Sequence, residues 1–559
     1  MIHIAQKTCL GGLSKRSAIR VAALAAAAGI VMAIGGCTTE EPQADDRKVD
    51  ILITGGQVYD GAGNPWVEQD IGITGDKISF VGRADTAGVE GKETIDAKGL
   101  AITPGFIDMH SHADADKPEH RKMLPQRYQG ITTVVVGVDG DGKDTVSADF
   151  ARYRESGMGA NLLTYVGFNA AREAVMGMSD KPPTPEQLKA MQDYVERGMQ
   201  GGAFGLSTGL FYTPASYAKT DEVIEVAKVS GRYHGIYDTH DRDLGAVYQG
   251  IGYLASTAEA IEIGEKSGNK VIFSHFSPQS VRNYGRAPEG AKLIEDARAR
   301  GVDVMAAQHP YTATQSGLKP YTLPDWAVAG GKDAMLDRYR DPATRARMQA
   351  DSEAMIAIRG GAEKLVFTQT GNREDIDQEL VGLNLKQVAD KWGVTPFEAA
   401  FRLVSENYEM GVGVMNRDLY DIENIRFLAK QDWMMTCTDG YSMPAGEGAA
   451  HPRTFGAFTN KLRRLVLDEH QVTLPYAIRG MTGLPATFLG LEQRGLIKEG
   501  FYADINVIDL AKLRDNATYE DPQRYSEGMV EVIVNGDFAL RDGKPTESMP
   551  GLPIARGES

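Results

Sequence analysis

Two histidines one residue apart, His110 and His112, follow the apolar run Phe106-Ile107-Asp108-Met109. In an extended strand alternate side chains share a face, so both imidazoles project the same way. Two neutral imidazoles on one face make half of a site for a borderline metal such as zinc. Other apolar runs end in the same kind of chemistry. Tyr237-Asp238-Thr239-His240, Ile272-Phe273-Ser274-His275 and Thr436-Cys437-Thr438-Asp439 each close on a ligand type, and the run 133–138 is followed by Asp139. The chain has only 10 histidines, and four of them stand at such ends. Imidazoles and carboxylates with an open coordination position suit catalytic zinc, which polarises a carbonyl and acidifies water. A free carboxylate nearby takes the proton of that water and passes it to a leaving amine. Asp439, alone at the last run and followed by Gly440, is the residue expected in that role.

Residues so far apart meet only if a regular scaffold collects them. Strands are expected at 106–110, 132–137, 162–167, 204–208, 235–240, 270–275, 302–309 and 433–439. Helical patterns fall between them at 185–200, 221–230 (with Thr220 as its cap), 257–266 and 290–300. Strands alternating with helices imply a parallel sheet, and eight of them imply a (β/α)8 barrel. All strand ends then converge on one mouth. The barrel is expected over 104–490, with a charged helical insertion at about 321–409 covering that mouth. Residues 49–103 and 491–545 alternate apolar and polar residues between glycines, which predicts a small β-sandwich assembled from both chain ends. Residues 546–559 are expected to be a tail.

Composition narrows the function. The net charge of −16, from 76 acidic against 60 basic side chains, argues against nucleic acid as a partner. Three cysteines, Cys9, Cys37 and Cys437, cannot build a disulfide framework. Residues 1–36 have the form of an export signal: Lys15, Arg16 and Arg20, then an Ala-rich apolar stretch too short for a confident membrane span. The stretch ends Ile34-Gly35-Gly36-Cys37, which resembles a bacterial lipobox. Cys37 is therefore expected to be lipidated, with 37–48 as a tether. The protein would be anchored in the bacterial cell envelope facing the periplasm, at the outer membrane because no aspartate follows Cys37.

Four segments carry a resemblance to the amidohydrolase superfamily. They are Pro104-Gly105-Phe106-Ile107-Asp108-Met109-His110-Ser111-His112, the run 130–137, Gly205-Leu206-Ser207-Thr208-Gly209-Leu210-Phe211-Tyr212, and His451-Pro452-Arg453-Thr454-Phe455-Gly456. The last two point to the N-acyl-D-amino-acid deacylase (D-aminoacylase) branch. The resemblance implies a barrel with a β-sandwich, and hydrolysis of the amide of an N-acyl-D-amino acid with Zn2+, as one or two ions, or another divalent metal. It places His110, His112, His240, His275 and Asp439 on the family's metal-centre positions and Tyr311 near its substrate-binding segment. The sequence also departs from the family. Asp139 stands where the family has a cysteine ligand, a harder donor than thiolate. Ser277 replaces a lysine that helps hold substrate. Arg242 remains after strand five and is expected either to hold a substrate carboxylate or to form a structural salt bridge.

Three rival readings use the same residues. A dipeptidase or cyclic-amide hydrolase of the superfamily often bridges its metals with a carboxylated lysine, for which Lys143 is the candidate. A deaminase also needs a histidine and aspartate site. A non-catalytic, lipid-anchored binding protein predicts lost ligands, yet no core position here is apolar.

Overall fold

A computed structural model describes residues 47–369, 379–409, 411–447 and 451–558. The expected signal segment and Cys37 lie outside the described residues. Among the described residues no helix is long and apolar enough to cross a membrane.

Eight parallel strands make the barrel. Phe106–Asp108 pairs with Ile131–Val136, which pairs with Asn161–Thr164. The short strand Val166–Gly167 passes the ladder to Gly205–Gly209. Ile236–His240, Lys270–Phe273, Val304–Gln308 and Met434–Thr436 follow in parallel register. The last strand closes on the first: the Asp439 N–H donates to the His110 carbonyl at 2.9 Å and the His112 N–H to the Gly440 carbonyl at 2.8 Å. The buried carboxylate of Asp108 reinforces the seam, accepting from the Thr438 N–H at 2.8 Å and its hydroxyl at 2.5 Å. The strands read as near-continuous apolar runs because both faces are covered, as parallel sheets require.

The observed strands follow the expected order but most stop earlier, by two residues or more at the first, sixth and eighth. Strands one, six and eight finish at Asp108, Phe273 and Thr436, so His110, His112, His275 and Asp439 sit just past them. The cause is backbone geometry. Asp139, His275 and Asp439 have φ of 56°, 32° and 49°, a left-handed conformation that a strand ladder excludes and that non-glycine residues seldom adopt. Such strain persists where the surroundings over-determine it, and it clusters at functional sites.

The helix Pro185–Gln200 starts with a capping box between Thr184 and Gln187. Thr220 is not a cap: it opens the helix Thr220–Gly231, and its hydroxyl donates to Glu259 at 2.8 Å. Both chain ends build the small β-domain. Ile505–Ile508 runs antiparallel to Ala101–Pro104, and the strands join in one nine-stranded sheet over a core that includes Ile53, Ile71, Ile505 and Ile533.

The insertion differs from its expected form. It carries its own antiparallel sheet of Thr314–Gly317, Leu365–Gln369 and Gly413–Asn416, so it reaches beyond 321–409 on both sides. Thr314-Gln315-Ser316-Gly317 has no apolar alternation, and its pairing is set by partners distant in sequence. A separate core, with Leu318, Phe367, Leu385, Phe397 and Val414, supports the insertion. Residues 546–559 are not a loose tail either. The Leu162 N–H donates to the Leu552 carbonyl at 3.0 Å and the Ile554 N–H returns to Leu162 at 2.9 Å, against the third barrel strand.

Arg127 is fully buried and locks that closing segment. Its guanidinium donates to the carbonyls of Ala539 at 3.0 Å, Thr546 at 2.9 Å and Ser548 at 2.6 Å. Arg127→Ala removes three charge-assisted bonds and leaves the half-buried carbonyls of Thr546 and Ser548 without this donor. It should lower unfolding free energy by about 3 kcal/mol. Denaturant midpoints measure the loss, and proteolysis past residue 545 should quicken; an unchanged midpoint rules the lock out.

Candidate metal centre

The mouth of the barrel holds a cavity of about 390 Å³ lined by His112, Asp139, His240, His275 and Asp439. Among the described residues two donor sets come together, His110 with His112 and Asp139, and His110 with His275 and Asp439, each with its ligand atoms within 4.8 Å of one another. His110 belongs to both. Its Nε2 lies 3.5 Å from Asp139 Oδ1 and 3.7 Å from Asp439 Oδ1. His112 Nε2 lies 3.7 Å from Asp139 Oδ2 and 3.2 Å from Asp439 Oδ1. His240 stands beside His275, ring centroids 4.6 Å apart, but in neither three-residue set. Its Nδ1 is engaged with the Asp241 carbonyl at 3.0 Å.

The donors fit a divalent cation. Both ring nitrogens of His110, Asp139 Oδ1, His275 Nδ1 and His309 Nε2 are buried without a hydrogen-bond partner. Buried polar atoms are almost always paired, so a cluster of unpaired acceptors is the arrangement a metal completes. Three of the imidazoles, His110, His240 and His275, are held in the neutral, ligating form, whereas at His112 burial is outweighed by Asp439 and Asp139, which raise it. Burial drives His110 well below its usual pKa, His240 down to about 3 and His275 down to about 4. Burial pushes Asp139 up to about 7 in the absence of a cation. Burial also acts to raise Asp439, but Arg453 and the surrounding histidines outweigh it and hold this carboxyl well below the usual range. The Arg453 Nη1 is 2.5 Å from Asp439 Oδ2.

The two narrow motifs have local physical reasons. Ser207 donates to the Gly137 carbonyl at 2.5 Å and accepts from the Gly140 N–H at 3.0 Å, cradling the loop that presents Asp139. Gly209 lets that loop approach: a Cβ there would meet the Asp139 carbonyl at 2.3 Å. In the second motif, His451 Nδ1 accepts from the Arg453 N–H at 3.0 Å while its Nε2 pairs with the Ala313 carbonyl at 3.1 Å. That turn fixes Arg453 against Asp439.

Of the expected site residues, the structure brings His110, His112, Asp139, His240, His275 and Asp439 to the mouth. It does not bring the three expected substrate contacts. Arg242 is committed to Glu259, with Nε to Oε2 at 2.9 Å and Nη2 to Oε1 at 2.9 Å, and its Nη1 donates to the Ser216 carbonyl. The salt bridge is its role. The Tyr311 hydroxyl donates to Asp515 at 2.6 Å, which ties it to residues beyond the barrel rather than to the cavity. Ser277 is buried off the cavity lining, and its short side chain does not span what a lysine would. Lys143, the candidate bridging lysine of the rival reading, is exposed and pairs with Asp116 at 3.3 Å.

Residues missed in the sequence complete the wall. Arg453 lay inside a quoted motif with no role given. His309 ends strand seven, with Nε2 4.0 Å from Asp439 Oδ2; its place at a strand end was the available signal. Tyr212, the last residue of the Gly205–Tyr212 motif, also lines the cavity, as do Gln279, Tyr321 and Tyr420, which nothing in their local patterns marked.

Fold and donor set together define a barrel hydrolase built around a divalent metal centre. The chain belongs to the amidohydrolase family, whose model matches residues 93–539. It is 32% identical to an N-acyl-D-aspartate deacylase of Alcaligenes xylosoxydans xylosoxydans over 93% of this chain and 98% of that one. It is 31% identical to a D-aminoacylase of the same organism, over 92% and 99%. Among solved structures it resembles an N-acyl-D-glutamate deacylase of Bordetella bronchiseptica complexed with zinc and a phosphonate inhibitor. The TM-score there is 0.76 at 27% identity, covering 91% of this chain and all of that one.

Because His110 serves both donor sets, His110→Ala should cost more metal than any other single histidine change at the mouth. Elemental analysis after dialysis against zinc should show under half the wild-type content, whereas His240→Ala keeps most of it. Equal losses would deny His110 its shared position.

Proposed function

We propose that the protein hydrolyses the amide of N-acyl-D-amino acids, releasing a carboxylate and a free D-amino acid. The carrying observation is an ionised carboxylate, Asp439, held beside the buried neutral imidazoles of His110 and His275 at the mouth of an amidohydrolase barrel. Two of the proteins it resembles, named above, are deacylases of N-acyl-D-aspartate and of N-acyl-D-glutamate. His110, His112, Asp139, His240, His275 and Asp439 would hold zinc, in one or two ions. When bound, zinc supplies a Lewis acid that polarises the amide carbonyl and acidifies water. Asp439 accepts the proton as the water oxygen bonds to the carbonyl carbon. It then delivers that proton to the nitrogen as the C–N bond breaks. Arg453 keeps Asp439 ionised for the first step, and His309 packs beside it. Asp139 supplies two carboxylate oxygens between His110 and His112, in the place where relatives have a thiolate.

The envelope location is part of the same reading. Residues 1–36 are taken as a lipoprotein signal and Cys37 as the lipid-bearing residue, supported by the lipobox-like sequence. Acyl labelling of cells with palmitate should disappear in Cys37→Ala, and persistent labelling would remove the anchor.

Two enzymatic measurements test the mechanism. Amine release by the zinc-loaded protein should be confined to the D members of paired N-acetyl-amino acids; turnover of dipeptides alone would move it to the rival class. Arg453→Met removes the charge that holds Asp439 ionised, so burial then raises that carboxyl. The acid limb of the kcat profile should move upward by about one pH unit or more. An acid limb that stays in place would mean that Asp439 is not the group whose ionisation the rate requires.

A further inference from the structure

Three arginines lie toward this end of the barrel, of which only Arg453 lines the cavity itself, and two are neutralised. Arg242 is paired with Glu259 and Arg453 with Asp439. The third, Arg359, closes the helix Pro342–Ile358 of the insertion and is only 3% exposed. Its Nε and Nη1 have no hydrogen-bond partner, and no carboxylate among the described residues forms an ion pair with it. Instead its guanidinium lies 3.8 Å from the ring centroid of Tyr321 and 5.5 Å from that of Phe211, whose ring stacks on His240. Asp243 is the nearest acidic influence, but its carboxylate is occupied by the N–H groups of Gly245, Val247 and Gly252. A buried cation without a counter-charge is strongly unfavourable, and aromatic faces offset only part of the loss.

The wall in front of Arg359 is suited to an anion. Tyr212, Tyr321 and Tyr420 line the cavity, and Arg359 lies directly behind this lining with its guanidinium against the Tyr321 ring. The Tyr420 hydroxyl accepts from Gln279 at 3.2 Å and the Tyr212 hydroxyl from Ser316 at 3.1 Å, so each keeps its own proton to donate. Burial raises all three phenols, which therefore remain protonated donors. Ser277, on the barrel itself, brings no charge to the cavity.

We propose that the missing counter-charge of Arg359 is the carboxylate of the substrate, lodged in the part of the cavity walled by Tyr212, Tyr321 and Tyr420. The cation is thus supplied by the insertion rather than by the barrel strand that ends at His275. The charge acts through a water-poor, low-dielectric wall, where it selects strongly for an anion. Arg359 is a specificity residue in this scheme and takes no part in proton transfer. The proposal rests on the functional reading above for the identity of the substrate, but the unpaired cation stands without it.

The test compares zinc-loaded wild type, Arg359→Gln and Arg359→Lys on matched substrates. One pair is N-acetyl-D-leucine and its primary amide, which differ only in the α-carboxylate. The other is N-acetyl-D-glutamate and N-acetyl-D-glutamine, which differ only in the side-chain carboxylate. Arg359→Gln should lower the acid-to-amide ratio of kcat/KM by about 100-fold, mostly through KM, with partial recovery in Arg359→Lys. The pair that shows the effect identifies which carboxylate is held. The melting temperature of ligand-free Arg359→Gln should be unchanged or higher, since it loses an uncompensated buried charge. A fall on acid and amide alike, or an unchanged ratio, overturns the proposal. If wild type turns over none of these compounds, the functional reading fails separately. Calorimetric binding of N-acetyl-D-leucine then decides: loss in Arg359→Gln upholds the anion site, and equal or absent binding in both proteins overturns it.

Discussion

The whole site depends on how the barrel closes. The first and last strands are separated by more than 300 residues, yet the Asp439 N–H donates to the His110 carbonyl and the His112 N–H to the Gly440 carbonyl. Asp108 sits beneath this seam with its carboxylate on Thr438. A seam made of direct backbone bonds leaves little freedom in the distance between His110 and Asp439. It also forces the chain to turn sharply just beyond, which is where Asp439 takes its left-handed φ. The Asp439 carboxylate and the shared His110 imidazole are therefore placed by one structural event, the joining of the sheet's two edges.

Once those groups are together, burial and charge divide their roles. The same low-dielectric mouth acts on every ionisable group, but in opposite senses for acids and bases. It neutralises His110, His240 and His275, which then offer lone pairs. It would neutralise Asp439 as well, were Arg453 not bonded to it. Asp139 has no such arginine and rises to about 7. Two carboxylates in one cavity thus differ because one has a fixed cation and the other awaits one. In the proposed function that difference is what suits Asp439 to proton transfer as well as to metal binding and leaves Asp139 to metal binding alone, a division that donor type alone does not make.

Much of this was readable in the chain. Period-two and continuous apolar patterns located the eight strands, and parallel strands end together, so residues at their ends had to meet. The left-handed turns were not readable, because Asp and His tolerate them without announcing them. Arg242 shows a different limit: a guanidinium near a strand end looks the same whether it faces a ligand or Glu259. Only the packing of the helix Tyr253–Ser267 against that strand end decides the matter. The insertion was readable as charged and helical, but its three short strands were not, since Thr314–Gly317 is made by pairing with Gly413–Asn416 rather than by its own pattern. Tyr321 and Arg359 inherit that opacity, being placed by an element whose fold is itself long-range.

The division between barrel and insertion has a consequence for specificity. The barrel's contribution is constrained by closure: changing a residue at a strand end disturbs the seam, the donors and the strained turns together. The insertion has its own core and supplies a large part of the cavity wall, including Thr314 to Gly317, Tyr321 and Gln369, but none of the metal-centre donors. Its wall can therefore change without disturbing the metal centre. A lysine on a barrel strand and an arginine on the insertion offer the same charge from two sides of one cavity, but only the second lies outside the barrel's constraints. On the proposal made for Arg359, the serine at 277 and this arginine belong together, with the charge that recognises substrate offered by the insertion rather than by the barrel.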